Sequence, residues 1–429
     1  MKKYILIILC CLTSFPLWSY NVNMIVEHYS VDQGLPNNTV NCTLKDRDGF
    51  IWFGTWYGLC CFDGVKFKTF NKQEHDSDVP PRKIQRIVED KNGYIWVKTI
   101  DRKLYVFNKV TECFHAVYDD MKNYSENIQV IKLQNTAEGD VLLLTKDKNL
   151  LLAGVDEKGQ VTIKILFDSR DEINKHDYTL KHHVLCETEE YISWIGTDYK
   201  VSAVHKGAEL ASRPADFITS KINSGDKDSF TSFFEDGRKV WVGDRAGIFY
   251  SIDVRTGLVN RYVLSEIKGA ISNLLVTPAG YVYLSVAGQG TYEYDLAERR
   301  LQKINTEMND AMVTHAFIDQ YDKIWFHENE KALIYYDPLN HTAKRFPFTM
   351  FGKITTLYSE DAGERGLFFL SPAGEAWLFD REHAEMVYIN KLKQLSNDRA
   401  NQQFYHLMLD NDGVLWLSSA DEGVYCMNF

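Results

Sequence analysis

Residues able to do chemistry occur in this chain mainly as short pairs, each just beyond an aromatic or β-branched run. The pairs are Trp56-Tyr57, Asp101-Arg102, Lys146-Asp147, Asp198-Tyr199, Asp244-Arg245, Gly288-Gln289, Glu328-Asn329, Pro372-Ala373 and Ala420-Asp421. Several are types that bind sugars. An aromatic face covers the C–H side of a pyranose, while Asp, Arg, Asn and Gln fork hydrogen bonds to adjacent hydroxyls. Trp56, Tyr57, Arg102, Asp198, Tyr199 and Arg245 are the expected ligand contacts. Taken alone, each reads first as a solvated turn residue.

Other chemistry finds less support. The adjacent acids Asp119-Asp120 and Glu189-Glu190 serve glycoside hydrolysis only if two carboxyls face each other across a cleft, about 5–9.5 Å apart. His182-His183 has no third ligand at zinc spacing, and the H-E-x-x-H pattern is absent. A Gly-rich phosphate loop and a G-x-S-x-G elbow are also missing. The sequence therefore predicts a binding protein with no cofactor and no metal, not an enzyme.

The elements that must position these pairs recur. Aligning on Trp52 gives Trp96, Leu142, Trp194, Trp241, Tyr283, Trp325, Phe369 and Trp416, at intervals of 44, 46, 52, 47, 42, 42, 44 and 47 residues. Most copies are preceded by a turn pair such as Asp48-Gly49, Asn92-Gly93, Glu138-Gly139, Asp236-Gly237, Ala279-Gly280 or Asp412-Gly413. A second apolar run follows, as in LYVFN (104–108), TYEYD (291–295) and AWLFD (376–380). A period near 45 residues denotes an array of supersecondary units.

Each unit holds four short strands; in the first they are expected over Thr39–Asp46, Phe50–Gly54, Leu59–Phe62 and Lys66–Phe70. Helical patterning is nearly absent, its best candidate being Glu385–Leu395, expected as a loop or one short turn. Four antiparallel strands at this period describe a propeller blade, so the fold class is all-β, a β-propeller of nine four-stranded repeats. The recurring tryptophans are expected to be core, packed against the next blade. An extra strand, Met24–Ser30, precedes the first unit, and Val424–Phe429 reads as the third strand of the ninth. Two arrangements satisfy this: one closed ring, or a seven-bladed ring over 20–346 followed by two blades of a second over 347–429.

The first residues read as a transport signal. Lys2 and Lys3 precede the apolar run Tyr4–Leu12, and small Ser19 follows, so 1–19 are expected to be a signal peptide directing the chain to the periplasm. No later stretch is apolar enough to span a bilayer. Loss of residues 1–19 removes two lysines and no acids, taking the formal net charge from −11 to −13. That charge repels a phosphate backbone, so nucleic acid is not an expected partner. Cys42, Cys60, Cys61, Cys113, Cys186 and Cys426 then remain, without C-x-x-C spacing, and read as small hydrophobes. Cys60 and Cys61 should point to opposite faces of one strand.

The segment GLPNNTVNCTLKDRDGFIWFGTWYGLCCFDGVKFKTF (34–70) resembles the regulator-propeller repeat of bacterial hybrid two-component sensors, and EDKNGYIWVKTIDRKLYVFNKVTECF (89–114) resembles the repeat that follows it. The similarity is strong in the first two units and weaker from Gln129 onward. The resemblance implies an exported propeller that senses carbohydrates, commonly oligosaccharides. It also implies a β-sandwich, membrane helix, histidine kinase, receiver and DNA-binding domain further on, which this sequence lacks. The chain is expected to be the N-terminal region of such a sensor, truncated or free-standing. Its expected partners are an oligosaccharide and either a kinase-bearing chain or a second propeller copy. The run KDRDGFIW (45–52) also resembles the Asp-box turn of sialidases, making a sialidase-like hydrolase the alternative. A protein-interaction platform is a third reading.

Overall fold

In the computed structural model of the protein, the residues described are 25–70, 80–122, 129–147, 149–167, 185–188, 190–195, 200–207, 217–221, 230–304, 313–351, 358–371, 374–391 and 404–428. The signal-peptide expectation for 1–19 lies outside them, as do His182, His183, Glu189, Asp198 and Tyr199.

Among these residues the chain forms nine four-stranded antiparallel sheets, each from consecutive strands except the last. Strand β1 (Ile25–Tyr29) is the exception, since it pairs with Val424–Asn428 and completes the ninth sheet. Blade 1 contains β2 (Val40–Lys45), β3 (Ile51–Thr55), β4 (Gly58–Phe62) and β5 (Phe67–Phe70). Blade 2 contains β6 (Ile84–Glu89), β7 (Ile95–Thr99), β8 (Leu104–Asn108) and β9 (Cys113–Ala116), followed by the short helix α1 (Tyr118–Met121).

Alternation along each strand sends successive side chains to opposite faces, so a blade must be covered on both sides. The core answers this directly. It divides into nine apolar clusters, and each spans two neighbouring sheets. One joins the ninth sheet to the first through Trp416 and Val424 against Val40, Ile51 and Phe53. First strands of neighbouring blades touch each other, and β2 touches both β6 and the strand Phe404–Leu409. This is an all-β propeller. Trp52, Trp96, Trp241, Trp325 and Trp416 are all buried between blades. Cys60 faces the cluster shared with blade 9 while Cys61 faces blade 2, the opposed orientation expected of neighbours on a strand. Burial pushes both thiols up to about 12, consistent with inert core cysteines.

One expectation is corrected. The proposed loop or turn at Glu385–Leu395 begins as a strand, Glu385–Lys391, paired along Glu375–Asp380; residues 392–395 lie outside the described set. Here Met386 is buried in the cluster shared with the preceding blade, while Tyr388, beside a shift in strand register, is half exposed.

Candidate functional site

The two ends of each blade are built differently. At the turn joining strands one and two, an aspartate holds both the backbone and the tryptophan. Asp46 Oδ1 accepts the N–H groups of Asp48 and Phe50, and its Oδ2 accepts Trp52 Nε1 at 2.7 Å. Asp90 repeats this with Asn92, Tyr94 and Trp96, and Asp410 with Asp412, Val414 and Trp416. Asp319 and Trp325 form the same clasp, and Asp236 reaches Trp241 across a turn one residue shorter. Where the core residue is Leu142 or Tyr283, the acid is replaced by Thr136 or Thr277, whose hydroxyl accepts the backbone N–H of Asp140 or Tyr281. In the clasped copies an acid accompanies each indole whose N–H needs an acceptor, whereas the fourth copy has Thr188 at that position ahead of Trp194. The turn places a residue at positive φ, a glycine in most copies (93° at Gly49, 88° at Gly93), which glycine adopts without strain, and Asp322 (58°) in the Asp319 turn.

Lysines and arginines from the following blade neutralise these acids. Lys109 Nζ contacts Asp46 at 3.0 Å, Asp48 at 2.6 Å and Glu89 at 2.8 Å. Those three carboxylates have the spacing of a cation site, and Lys109 reaches all of them. Arg381 likewise joins Asp319 to Asp361, and Lys206 joins Glu138 to Glu187. This end of the ring is a network of turn clasps and ion pairs between blades.

The other end carries the tips joining strands two and three, and these differ in every copy. Thr55 closes the first, its hydroxyl donating to Gly58 O and accepting from Tyr57 N. Trp56 and Tyr57 are exposed there. The Trp56 carbonyl accepts Lys83 N–H, and the Lys83 carbonyl accepts Ile100 N–H. That chain of bonds ties the first tip to the second, where Arg102 sits at φ 68°. The Lys83 ammonium lies 5.1 Å from the Trp56 ring centroid, a cation–π contact on one of its faces. Arg102 lines a cleft of about 440 Å³ with Asp101, Tyr105, Tyr118, Met121 and Gln129. Tyr118 is an exposed aromatic at its wall.

The structure thus brings Trp56, Tyr57 and Arg102 onto one stretch of the rim. Arg245 is exposed on the tip of blade 5, whose turn is held by Asp244 through Ala246 and Ile248 N–H, and no bond described here links it to the first two tips. Of the acids weighed for catalysis, Asp120 pairs with His115 at 2.7 Å on the outside of blade 2.

Comparison with known proteins follows this division. The profile of the two-component regulator propeller family matches residues 34–57, which span the first clasp and the first tip. The chain carries a two-component regulator propeller repeat. Solved structures similar to it include the extracellular domain of BT4673 from B. thetaiotaomicron, described as a one-component or hybrid two-component system (14% identity, 92% of this chain and 65% of that one, TM-score 0.41). The extracellular domain of the hybrid two-component system BT3049 from the same organism is 17% identical over 92% of this chain and 52% of that one, with a TM-score of 0.36. This chain therefore spans less than two thirds of those domains. An enzyme is also among the similar structures: the virginiamycin B lyase of Staphylococcus aureus, 9% identical over 71% of this chain and 96% of that one, TM-score 0.35. No protein of curated function matches the sequence.

Beside the regulator repeat lie site residues that the sequence reading passed over. Tyr118 and Lys83 stand outside the repeating columns and give no periodic signal. Lys98 does give one. Two residues after the core aromatic, the copies read Gly54, Lys98, Leu144, Gly196, Gly243, Ser285, His327, Ser371 and Ser418. At Gly54 and Gly243 an added Cβ would overlap Cys42 Sγ and Ser232 Oγ, so blades close tightly there. Blade 2 instead buries a lysine at that level.

Proposed function

We propose that this chain is a non-catalytic, extracytoplasmic oligosaccharide-binding propeller that serves as a sensor in a two-component pathway. The observation that carries the reading is the rim joining Trp56, Tyr57, Lys83 and Arg102 to a cleft walled by Tyr118 and Gln129. Exposed aromatics beside forked donors and acceptors suit stacking on a sugar ring with hydrogen bonds to its hydroxyls. Asp198, Tyr199 and Arg245 are proposed as further tip contacts. The engaged state of the turn acids supports a non-catalytic role, because a glycosidase needs two carboxyls opposed across a cleft.

The proposal includes one ring of all nine blades, with residues 347–429 closing it. Its support is the apolar cluster and the Lys45–Asp412 ion pair joining blade 9 to blade 1. Export rests on the charged and apolar N-terminal pattern, and no helix among the described residues is long and apolar enough to cross a membrane. Occupancy would be passed to a kinase-bearing chain or a second propeller copy.

The test is thermal stabilisation and calorimetry against a panel of oligosaccharides, with chromatography of the same mixtures. A ligand selective for the folded state raises stability. Binding without turnover is expected. Cleavage of any glycoside would overturn the non-catalytic assignment, and absence of any response would overturn the sugar assignment.

A further inference from the structure

Lys98 lies on β7 directly across from Arg86 on β6, beside the seam of blades 2 and 3. Its side chain is only 5% exposed. Burying a charge is costly unless the charge is paired, and lysine is almost never buried alone. Yet among the described residues no carboxylate pairs with Lys98; its ammonium donates to the neutral Gln85 Oε1. Burial depresses its basicity, and the nearby Arg102 guanidinium lowers it further.

The surroundings are cationic and open. Gln85 and Arg86 are exposed although they belong to a first strand, which faces the ring axis. The strand is bulged between Ile84 and Arg86, and this bulge gives Gln85 the extra position from which it covers Lys98. Elsewhere the same bulge serves structure: Asn41 and Thr231 donate to the carbonyls of Ile84 and Ile271 in the next blade. In blade 2 the corresponding side chain is turned onto a buried ammonium.

We propose that Arg86, Lys98 and Arg102 form a binding site for an anionic oxygen group, the carboxylate or sulfate of an acidic sugar, and that Gln85 occupies that site until the ligand arrives. This rests on the sugar-binding reading and narrows it to acidic sugars. The amide carbonyl of Gln85 is a weak, exposed acceptor on a flexible side chain, whereas an anionic oxygen forms the stronger charge-assisted bond and cancels the buried charge. Arg102 adds a planar donor fork beside Lys98, and Arg86, opposite it on the strand pair, adds a further cation.

The experiment is thermal shift and calorimetry on the full chain. Its probes are uronate-bearing oligosaccharides, sulfated oligosaccharides, neutral oligosaccharides and inorganic sulfate. Two variants are included: Lys98→Met, which keeps the volume and removes the charge, and Gln85→Glu, which supplies a permanent internal carboxylate. Acidic probes should raise the melting temperature and bind at least tenfold more weakly to Lys98→Met. Gln85→Glu should melt several degrees higher than the native chain and lose the response to acidic probes and to sulfate. The contrast between uronate and sulfate arms tells which acid the site takes. Neutral sugars binding as well as acidic ones, unchanged in Lys98→Met, would overturn the anion site while leaving the sugar reading intact. Lys98-dependent stabilisation by sulfate alone would support the anion site and overturn the sugar reading. A native chain that responds to no probe would overturn both. Should Lys98→Met fail to fold, Gln85→Glu decides: no gain in stability, or an undiminished sulfate response, overturns the proposal.

Discussion

The two ends of the blades obey opposite rules. At the strand one–two turns, Asp46, Asp90, Asp319 and Asp410 make the same three bonds to two backbone N–H groups and an indole. At the strand two–three tips the copies share little beyond the residue that closes the turn, such as Thr55, Asp244 or Ser419, and the aspartate to which Thr99 and Thr145 donate, Asp101 and Asp147. Repetition marks the groups that every blade needs in order to close. Divergence marks where one copy acquired a task of its own. On this basis the acids at the first end are scaffold although their spacing suits a cation, and Trp56, Lys98 and Arg102 at the second are the informative residues.

The sharpest way to break this comparison is to truncate one aromatic at each end. Trp96→Ala should lose about 3–5 kcal/mol of stability in denaturant unfolding, because it opens a cavity between blades 2 and 3. Trp56→Ala, on the exposed tip, should stay within about 0.5 kcal/mol of the native chain. Equal losses would dissolve the distinction.

Next in size is a pH effect at the seam of blades 9 and 1. His406 bonds Thr43 at 2.7 Å, and burial together with the Arg86 charge lowers its folded-state value to about 4. Unfolded chain binds a proton near 6.5 while the folded chain does not, so stability is complete above that value. It should fall as pH drops from about 6.5 toward 4, by up to about 3 kcal/mol at 1.4 kcal/mol per pKa unit. Urea titrations of the native chain and His406→Gln should diverge over that window, with the variant flatter. A slope shared by both would assign the effect to other groups.

Smaller again is the clasp itself. Asp90→Ala should cost about 1–3 kcal/mol, since it strands a buried indole N–H and turn amides. Thr136→Ala, in the copy without an indole, should cost less. Combining Asp90→Thr with Trp96→Leu reproduces the pair found in blade 3, so the double variant should be more stable than the sum of the single losses predicts. Strict additivity would mean that the Asp–Trp pairing is incidental.

Much of the scaffold was legible from sequence because it recurs. The aromatic position, the glycine at positive φ and the flanking apolar runs announce a blade in nearly every copy, and β2–β5 lie within a residue or so of their expected limits. Asp46 stands within the KDRDGFIW run, but its bond to Trp52 is visible only in three dimensions, as is the exchange of Asp for Thr beside Leu142. The strand at Glu385–Lys391 was missed because its pairing partner, Glu375–Asp380, decides its conformation more than its own composition does. At the rim, sequence supplied Trp56, Tyr57 and Arg102 but could not tell that backbone bonds through Lys83 set them side by side. Lys98 escaped because it sits inside a β-run, where an unpaired cation conflicts with burial. That conflict is the kind expected at a functional position.

The most direct test of the rim as the ligand face is calorimetry of the best oligosaccharide from the panel against the native chain, Trp56→Ala and Arg102→Ala, with melting temperatures measured in parallel. The account predicts at least tenfold weaker binding in both variants, about 1.4 kcal/mol each, at an unchanged melting temperature without ligand. Binding of undiminished strength in both would contradict it.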